Sequence, residues 1–345
     1  MKSVIFGIKG TTLTDDEKEF FHQANPVGFI LFARNLETIT QVKTLIQQLK
    51  EITGRDRVPI LIDQEGGRVQ RIGPKLGYIK FPPAKIFGDI VQKKDLESAK
   101  KLCHDNYRIL GLDLSDLGIN IDCAPCIDLF YEVADKVIGD RSFSSDPKIV
   151  SSLGQAAISG LKESGIMPII KHIPGHGRAL VDSHYALPQV NHTLAELEFD
   201  FAPFRELSLN AEIAMTAHIC YTAIDSELPL TLSSKAIDFV RQDIGFKGIL
   251  ISDDLSMKAL SGNPGELAEQ AYKAGCDLLL HCNGNLEEMQ QIAAIDIPIN
   301  HRVQNILTNH NSTFAQIINN QNPKIDKEVL LSELKKKTDF DYAIS

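Results

Sequence analysis

The sequence predicts an α/β fold of the (β/α)8 TIM-barrel type, a single domain over residues 1–345 with extra C-terminal helices in 300–345. Two observations lead there. Eight short runs, β-branched or aliphatic on both faces, recur along the chain, as strands buried on both sides must be. Longer amphipathic stretches fill the gaps between them. Eight such units in about 300 residues outnumber the strands of an ordinary open doubly wound sheet and suit a closed barrel.

In order, the strand runs are "VIFGI" (4–8), "VGFILF" (27–32), "VPILID" (58–63), "INIDCAP" (119–125), "MPIIKH" (167–172), "EIAMTAH" (212–218), "GILISD" (248–253) and "CDLLLH" (276–281). The helices between them carry their own start and stop signals. Thr14-x-x-Glu17, Thr38-x-x-Gln41 and Thr193-x-x-Glu196 have the form of capping boxes. After Thr38, Val42, Leu45, Ile46 and Leu49 recur at helical spacing. Pro147 suits a first helical turn, and Gly245 and Gly275 stand where helices should stop. Beyond Asn300 the chain reads as one or two helices and a polar, Lys-rich end, whose run "LKKKTD" is a solvated helix end.

A chain of 345 residues buries roughly 75% of its unfolded surface and needs no staples. A net charge of −9 without a basic stripe argues against binding nucleic acid or an anionic membrane. The six cysteines, at 103, 123, 126, 220, 276 and 282, sit mostly in apolar runs, as reduced core thiols do. The opening "MKSVIFGIKG" has an apolar run too short for a signal peptide, and nothing approaches the ~20 apolar residues of a membrane span. The expectation is a soluble, cytoplasmic monomer.

Polar residues collect at the strand ends. Asp63 ends the third run, Lys171 and His172 the fifth, His218 the sixth, Asp253 and Asp254 the seventh, and His281 the eighth. In a barrel those ends converge on one face, where active sites are built. The loops after the fourth and fifth runs each hold about twenty residues, a length that in a compact domain marks function or disorder. The second of them carries most of "KHIPGHGRALVDSHYALP", Lys171 to Pro188, with three histidines and an aspartate in a segment that cannot be helical.

Several chemistries fit these residues. His172, His176 and His184 with Asp182 can offer metal ligands, although the spacing is loose and no His-x-His occurs. Cys123-Ala-Pro-Cys126 has redox or zinc form but stands alone on a predicted strand, which favours two core thiols. In Asp182-Ser-His184, residues i and i+2 of an extended segment point the same way, so the carboxylate can orient the imidazole as an acid/base. In "ISDDLSM", Asp253 can point into the barrel mouth as a nucleophile with Asp254 turned to the backbone; equally, Ser252 or Asp253 can cap the next helix. In "DQEGGRVQR", Asp63 with Arg68 and Arg71 can grip vicinal hydroxyls or form a structural ion pair.

Taken together the strings "GFILFARN", "LIDQEGGRVQR", "GDRSFSSDP", "KHIPGHG…DSHYALP", "MTAHICY" and "ISDDLSM" resemble, in order over residues 28–257, glycoside hydrolase family 3, and within it the single-domain bacterial β-N-acetylglucosaminidases. The resemblance implies Asp253 as nucleophile, His184 as acid/base and Asp182 as its partner. It implies that Asp63, Arg71, Arg141, Lys171 and His172 hold the non-reducing N-acetylglucosamine. It implies a β-1,4-linked anhydro-muropeptide or chitobiose-like substrate, cell-wall recycling, and no metal or organic cofactor. Gly175 and Gly177 offer hinges for the loop that carries the acid/base. A phosphorylase using the same residues is the alternative reading, followed by a non-catalytic sugar-binding barrel. Arg178 and Asn25-Pro26 depart from the pattern usual in that family.

Overall fold

The computed structural model describes residues 1–134, 137–183, 185–309 and 327–343. Eight parallel strands close into a barrel: β1 (Lys2–Gly7), β2 (Pro26–Leu31), β3 (Ile60–Ile62), β4 (Ile121–Asp122), β5 (Met167–Ile173), β6 (Ile213–Thr216), β7 (Ile249–Asp254) and β8 (Leu278–His281). Neighbours in sequence are neighbours in the sheet. The ring closes where β8 pairs with β1, with Ile5 opposite Leu280 and Phe6 opposite His281. Every predicted run supplies one of these strands.

Period-2 alternation divides the core in two. Ile5, Leu61, Ile121, Ile169, Ile213, Ile249, Ile251, Leu278 and Leu280 fill the barrel, while Val4, Phe6, Ile170, Leu250 and Leu279 pack outward under the helices. Val303, from the helical stretch 301–309, joins the interior cluster.

The helices start and stop largely where the sequence signals lie. Thr14 and Thr193 form full capping boxes with Glu17 and Glu196. Thr38 accepts from the Gln41 N–H, but the Gln41 side chain turns instead to the Thr11 and Asn35 carbonyls, so that box is half made. Pro147 opens its helix and Gly275 ends the helix Pro264–Ala274 in a left-handed conformation. Gly245 lies past the end of the helix Ser234–Gln242, which is closed by Asp243. Asn25 holds the left-handed C-cap after Asp15–Ala24, a position that tolerates Asn. The unit after β3 has two helices, Lys85–Lys93 and Leu96–Leu117, rather than one. The described part of the C-terminal extension is helical over 301–309 and Lys327–Thr338. Among the described residues no helix is long and apolar enough to cross a membrane.

Candidate active site

The strand alternation that builds the core also aims the polar strand ends. Asp63 shares the parity of Leu61, Lys171 that of Ile169 and Asp253 that of Ile251, all inward. These three, with Glu65, Arg71, Arg141, His172, His176, Asp182, Ser183, Asp254 and Met257, line one cavity of about 170 Å³. His281 has the parity of the outward Leu279. It turns from the mouth and bonds Glu288 at 2.9 Å, so the expectation that it joins the others is corrected. Lys171 and His172 are consecutive, yet both line the cavity; the peptide between them is cis.

One wall is a buried ion network. Lys171 Nζ lies 2.8 Å from Asp63 Oδ1 and 2.6 Å from Glu65 Oε1. Arg141 grips Glu65 with Nε and Nη2 at 2.9 and 2.8 Å, the two-pronged geometry that guanidinium favours. Arg71 stands 3.6 Å from Asp63 Oδ2. Burial pushes the Asp63 and Glu65 carboxyls up, but the adjoining Lys171, Arg141 and Arg71 charges outweigh it and hold both below the usual carboxylate range. Burial likewise opposes the Lys171 charge, yet the two carboxylates raise its pKa. Glu65 did not emerge from the sequence as a site residue. Its signal was the i, i+2 spacing from Asp63, and it is presented by a hairpin of Gln64–Gly66 with Val69–Gln70. Gly66 has φ +97°, and a Cβ there would fall 2.2 Å from the Pro82 carbonyl oxygen, so only glycine fits this turn. Arg68 is directed elsewhere, to Asp140 and the Val137 and Ile138 carbonyls.

A second buried carboxylate, Asp128, organises the start of the loop after β5. It accepts from the backbone N–H groups of His172 and His176, at 3.1 and 2.6 Å, and bonds His172 Nδ1 at 2.7 Å. A carboxylate at that distance accepts the Nδ1–H hydrogen bond and so fixes the orientation of the His172 ring. Cys126 Sγ also donates to Asp128, at 3.3 Å. Burial raises the Asp128 carboxyl, but His172 and His176 prevail and lower it from 3.8 to about 2. Such a group adds stability above pH 3.8 that is lost as pH falls through about 2. The stability gap between wild type and Asp128→Asn is therefore expected to be full near neutrality, on the order of 2 kcal/mol, and to close across that acid window. Thermal melts at stepped pH check it.

Cys126, Asp128 and His172 place three ligand-type atoms within 4.8 Å of one another. Each is engaged in this hydrogen-bonded hub. All six cysteines are free and buried, and Cys123 packs inside the barrel, so the Cys-x-x-Cys pair is two core thiols, one of which reaches the hub.

Asp253 lies at the end of β7 with its Oδ1 accepting the Asp254 N–H at 2.8 Å. Burial raises its pKa, but the His218 and His172 rings, that N–H and Lys171 together hold it below the ordinary value. Neither Ser252 nor Asp253 caps a helix: Ser252 accepts the Leu280 N–H, and the next helix starts at Pro264 under Asn263. Asp254 turns back to the Ser256 and Cys282 N–H groups. His218 is buried, bonded to Thr231 Oγ1 at 2.7 Å and to the Asp254 carbonyl at 3.1 Å. A carbonyl can only accept, so Nε2 carries the proton; burial lowers the ring's pKa.

The loop after β5 crosses the mouth. At its base Arg178 Nε bonds Asp200 at 2.6 Å and its guanidinium lies 4.7 Å from the Tyr131 ring centre. Gly177 packs so closely that a Cβ would stand 2.3 Å from the Leu129 carbonyl oxygen, a close approach rather than an open hinge. Further on, the Ser183 carbonyl accepts the Ala259 N–H at 3.0 Å, tying the loop to the segment that follows Asp253. Asp182 thus shares the cavity with Asp253. His184 lies outside the described residues. His176, only 3% exposed, packs edge-on to His172, and burial lowers its pKa to about 4, so it is neutral near pH 7.

Comparison with known proteins agrees with this architecture. A β-hexosaminidase of Neisseria gonorrhoeae is 38% identical over 285 residues, covering 81% of this chain and 78% of its own. The crystal structure of NagZ from Neisseria gonorrhoeae in complex with N-trifluoroacetyl-D-glucosamine superposes with a TM-score of 0.85 at 31% identity, covering 98% of each chain. A glycoside hydrolase family 3 β-N-acetylglucosaminidase from Paenibacillus gives 0.77 at 32% identity, over 99% of this chain and 63% of that one. The model of the glycosyl hydrolase family 3 N-terminal domain matches residues 3–300, and this chain, a glycoside hydrolase, belongs to that family.

Proposed function

We propose that the chain is a retaining exo-β-N-acetylglucosaminidase that releases terminal β-1,4-linked N-acetylglucosamine from anhydro-muropeptides during cell-wall recycling. One observation carries this reading: the ionised Asp253, the Asp182–Ser183 segment and the Asp63–Lys171–Glu65–Arg141 network line the same cavity. The relatives' names, and the N-acylated glucosamine bound by one of them, support the sugar class. Asp63, Arg71, Arg141, Lys171 and His172 hold the hydroxyls of the non-reducing sugar. Asp253 attacks the anomeric carbon as His184, oriented by Asp182, gives its proton to the departing oxygen. The resulting glycosyl ester is hydrolysed by a water whose proton returns to His184. The common retaining template uses two carboxylates; here an Asp–His pair replaces one of them. The scheme uses no metal or organic cofactor, and we place the enzyme in the cytoplasm as a single-domain monomer.

A 2-deoxy-2-fluoro sugar with a good leaving group slows the second step and should label the peptide that contains Asp253, read by mass spectrometry of the digest. Label on another residue overturns the assignment. Free N-acetylglucosamine is expected as product with or without inorganic phosphate; a dominant sugar 1-phosphate would replace hydrolysis by phosphorolysis.

A further inference from the structure

We propose that Tyr185, with Leu180 and Val181, forms the apolar wall of the subsite that receives the leaving group, and selects for aglycones that present a sugar ring. The inference rests on the reading of Asp182 and His184 as the acid/base pair.

Three large apolar side chains stand exposed within six residues of the loop after β5: Leu180 at 68%, Val181 at 44% and Tyr185 at 74%. Leaving such surface in water forgoes about 25 cal/mol per Å² of burial, and along the chain the three flank Asp182 and Ser183, which line the cavity. The patch is not a frayed tip. Arg178 fixes the loop's base on Asp200, and Tyr221 OH bonds the Gly175 carbonyl at 2.8 Å. The Ser183–Ala259 bond ties it down on the far side. The Tyr185 and Ala186 N–H groups both donate to the Asp182 carbonyl, at 2.9 and 3.3 Å, which holds the exposed Tyr185 two residues beyond the cavity-lining Ser183.

Placement identifies the occupant. An acid that protonates a glycosidic oxygen sits on the boundary between the bound sugar and the leaving group. The bound-sugar side is walled by the charged network. The exposed residues flanking the acid pair therefore border the leaving group. A pyranose offers an apolar C–H face rimmed by hydroxyls, which an aromatic ring with a polar tip matches.

The test uses the full-length chain and two substrates: N,N'-diacetylchitobiose, whose leaving group is a sugar, and methyl β-N-acetylglucosaminide, whose leaving group has no ring. In Tyr185→Ala the ratio of kcat/KM for the first over the second is expected to fall about tenfold, and in Tyr185→Phe to stay near wild type. An unchanged ratio in Tyr185→Ala overturns the subsite, as does an equal loss on both substrates. A change in sedimentation behaviour with the ratio intact would assign the patch to a second copy of this chain and also overturn it. If wild type and Asp253→Ala act alike on both substrates, the underlying reading of the active site fails instead.

Discussion

Asp253→Asn should lower kcat on an aryl β-N-acetylglucosaminide by about 10⁴-fold or more, with little change in Tm. Asn keeps the shape, and its carbonyl oxygen can still accept the Asp254 N–H that bonds Asp253 Oδ1. What disappears is the anion. The surrounding groups hold that carboxyl below the ordinary carboxylate range, so in the proposed scheme the wild type has its nucleophile ready at neutral pH. A further variant separates chemistry from folding. Asp253→Gly leaves room for a small anion, and added azide should then restore glycosyl transfer and yield a glycosyl azide. A merely structural aspartate would give neither the large kcat loss nor the rescue. Steady-state kinetics with and without azide, beside thermal melts, decide it.

Glu65→Ala is expected to cost both stability and activity. Glu65 is 4% exposed and bridges Lys171 to Arg141. Without it Arg141 loses its two-pronged partner, and Lys171 keeps only Asp63. Removing one member of a buried ion network costs about 3–5 kcal/mol, because the remaining charges stay buried without compensation. In the proposed binding mode the freed cations also lose their positions against the sugar, and a displacement of about 1 Å can cost 10²-fold in rate. Glu65→Gln keeps hydrogen-bonding atoms but not the charge, and should fall between wild type and Glu65→Ala. Urea midpoints and kcat/KM, measured on the same preparations, test the pair. Normal KM and normal stability in Glu65→Ala would show that the network does not position Lys171 and Arg141.

Much of this is legible in the sequence because two kinds of signal are local. Apolar runs bounded by capping residues, glycines and proline mark each strand and helix, and a strand's period of two tells which of its side chains face inward. Counted from Leu61, Ile169 and Ile251, that period aims Asp63, Lys171 and Asp253 into the barrel mouth; counted from Leu279, it turns His281 away. Reading strand ends without the count put His281 with the others.

What the local pattern could not supply were contacts made across long stretches of chain. Asp128 meets His172 from 44 residues away, and Glu65 meets Arg141 from 76. Neither pairing leaves a trace in spacing, since the loops that bring the partners together are irregular. His172 sits in the cavity although strict alternation from Lys171 would send it outward, which again only the folded chain reveals. The amino-acid sequence determined the barrel, the face that carries the polar groups and the inward aim of Asp253, because burial and periodicity act between near neighbours. Tertiary structure alone decided which charges compensate one another, because buried ions must find partners wherever the fold delivers them.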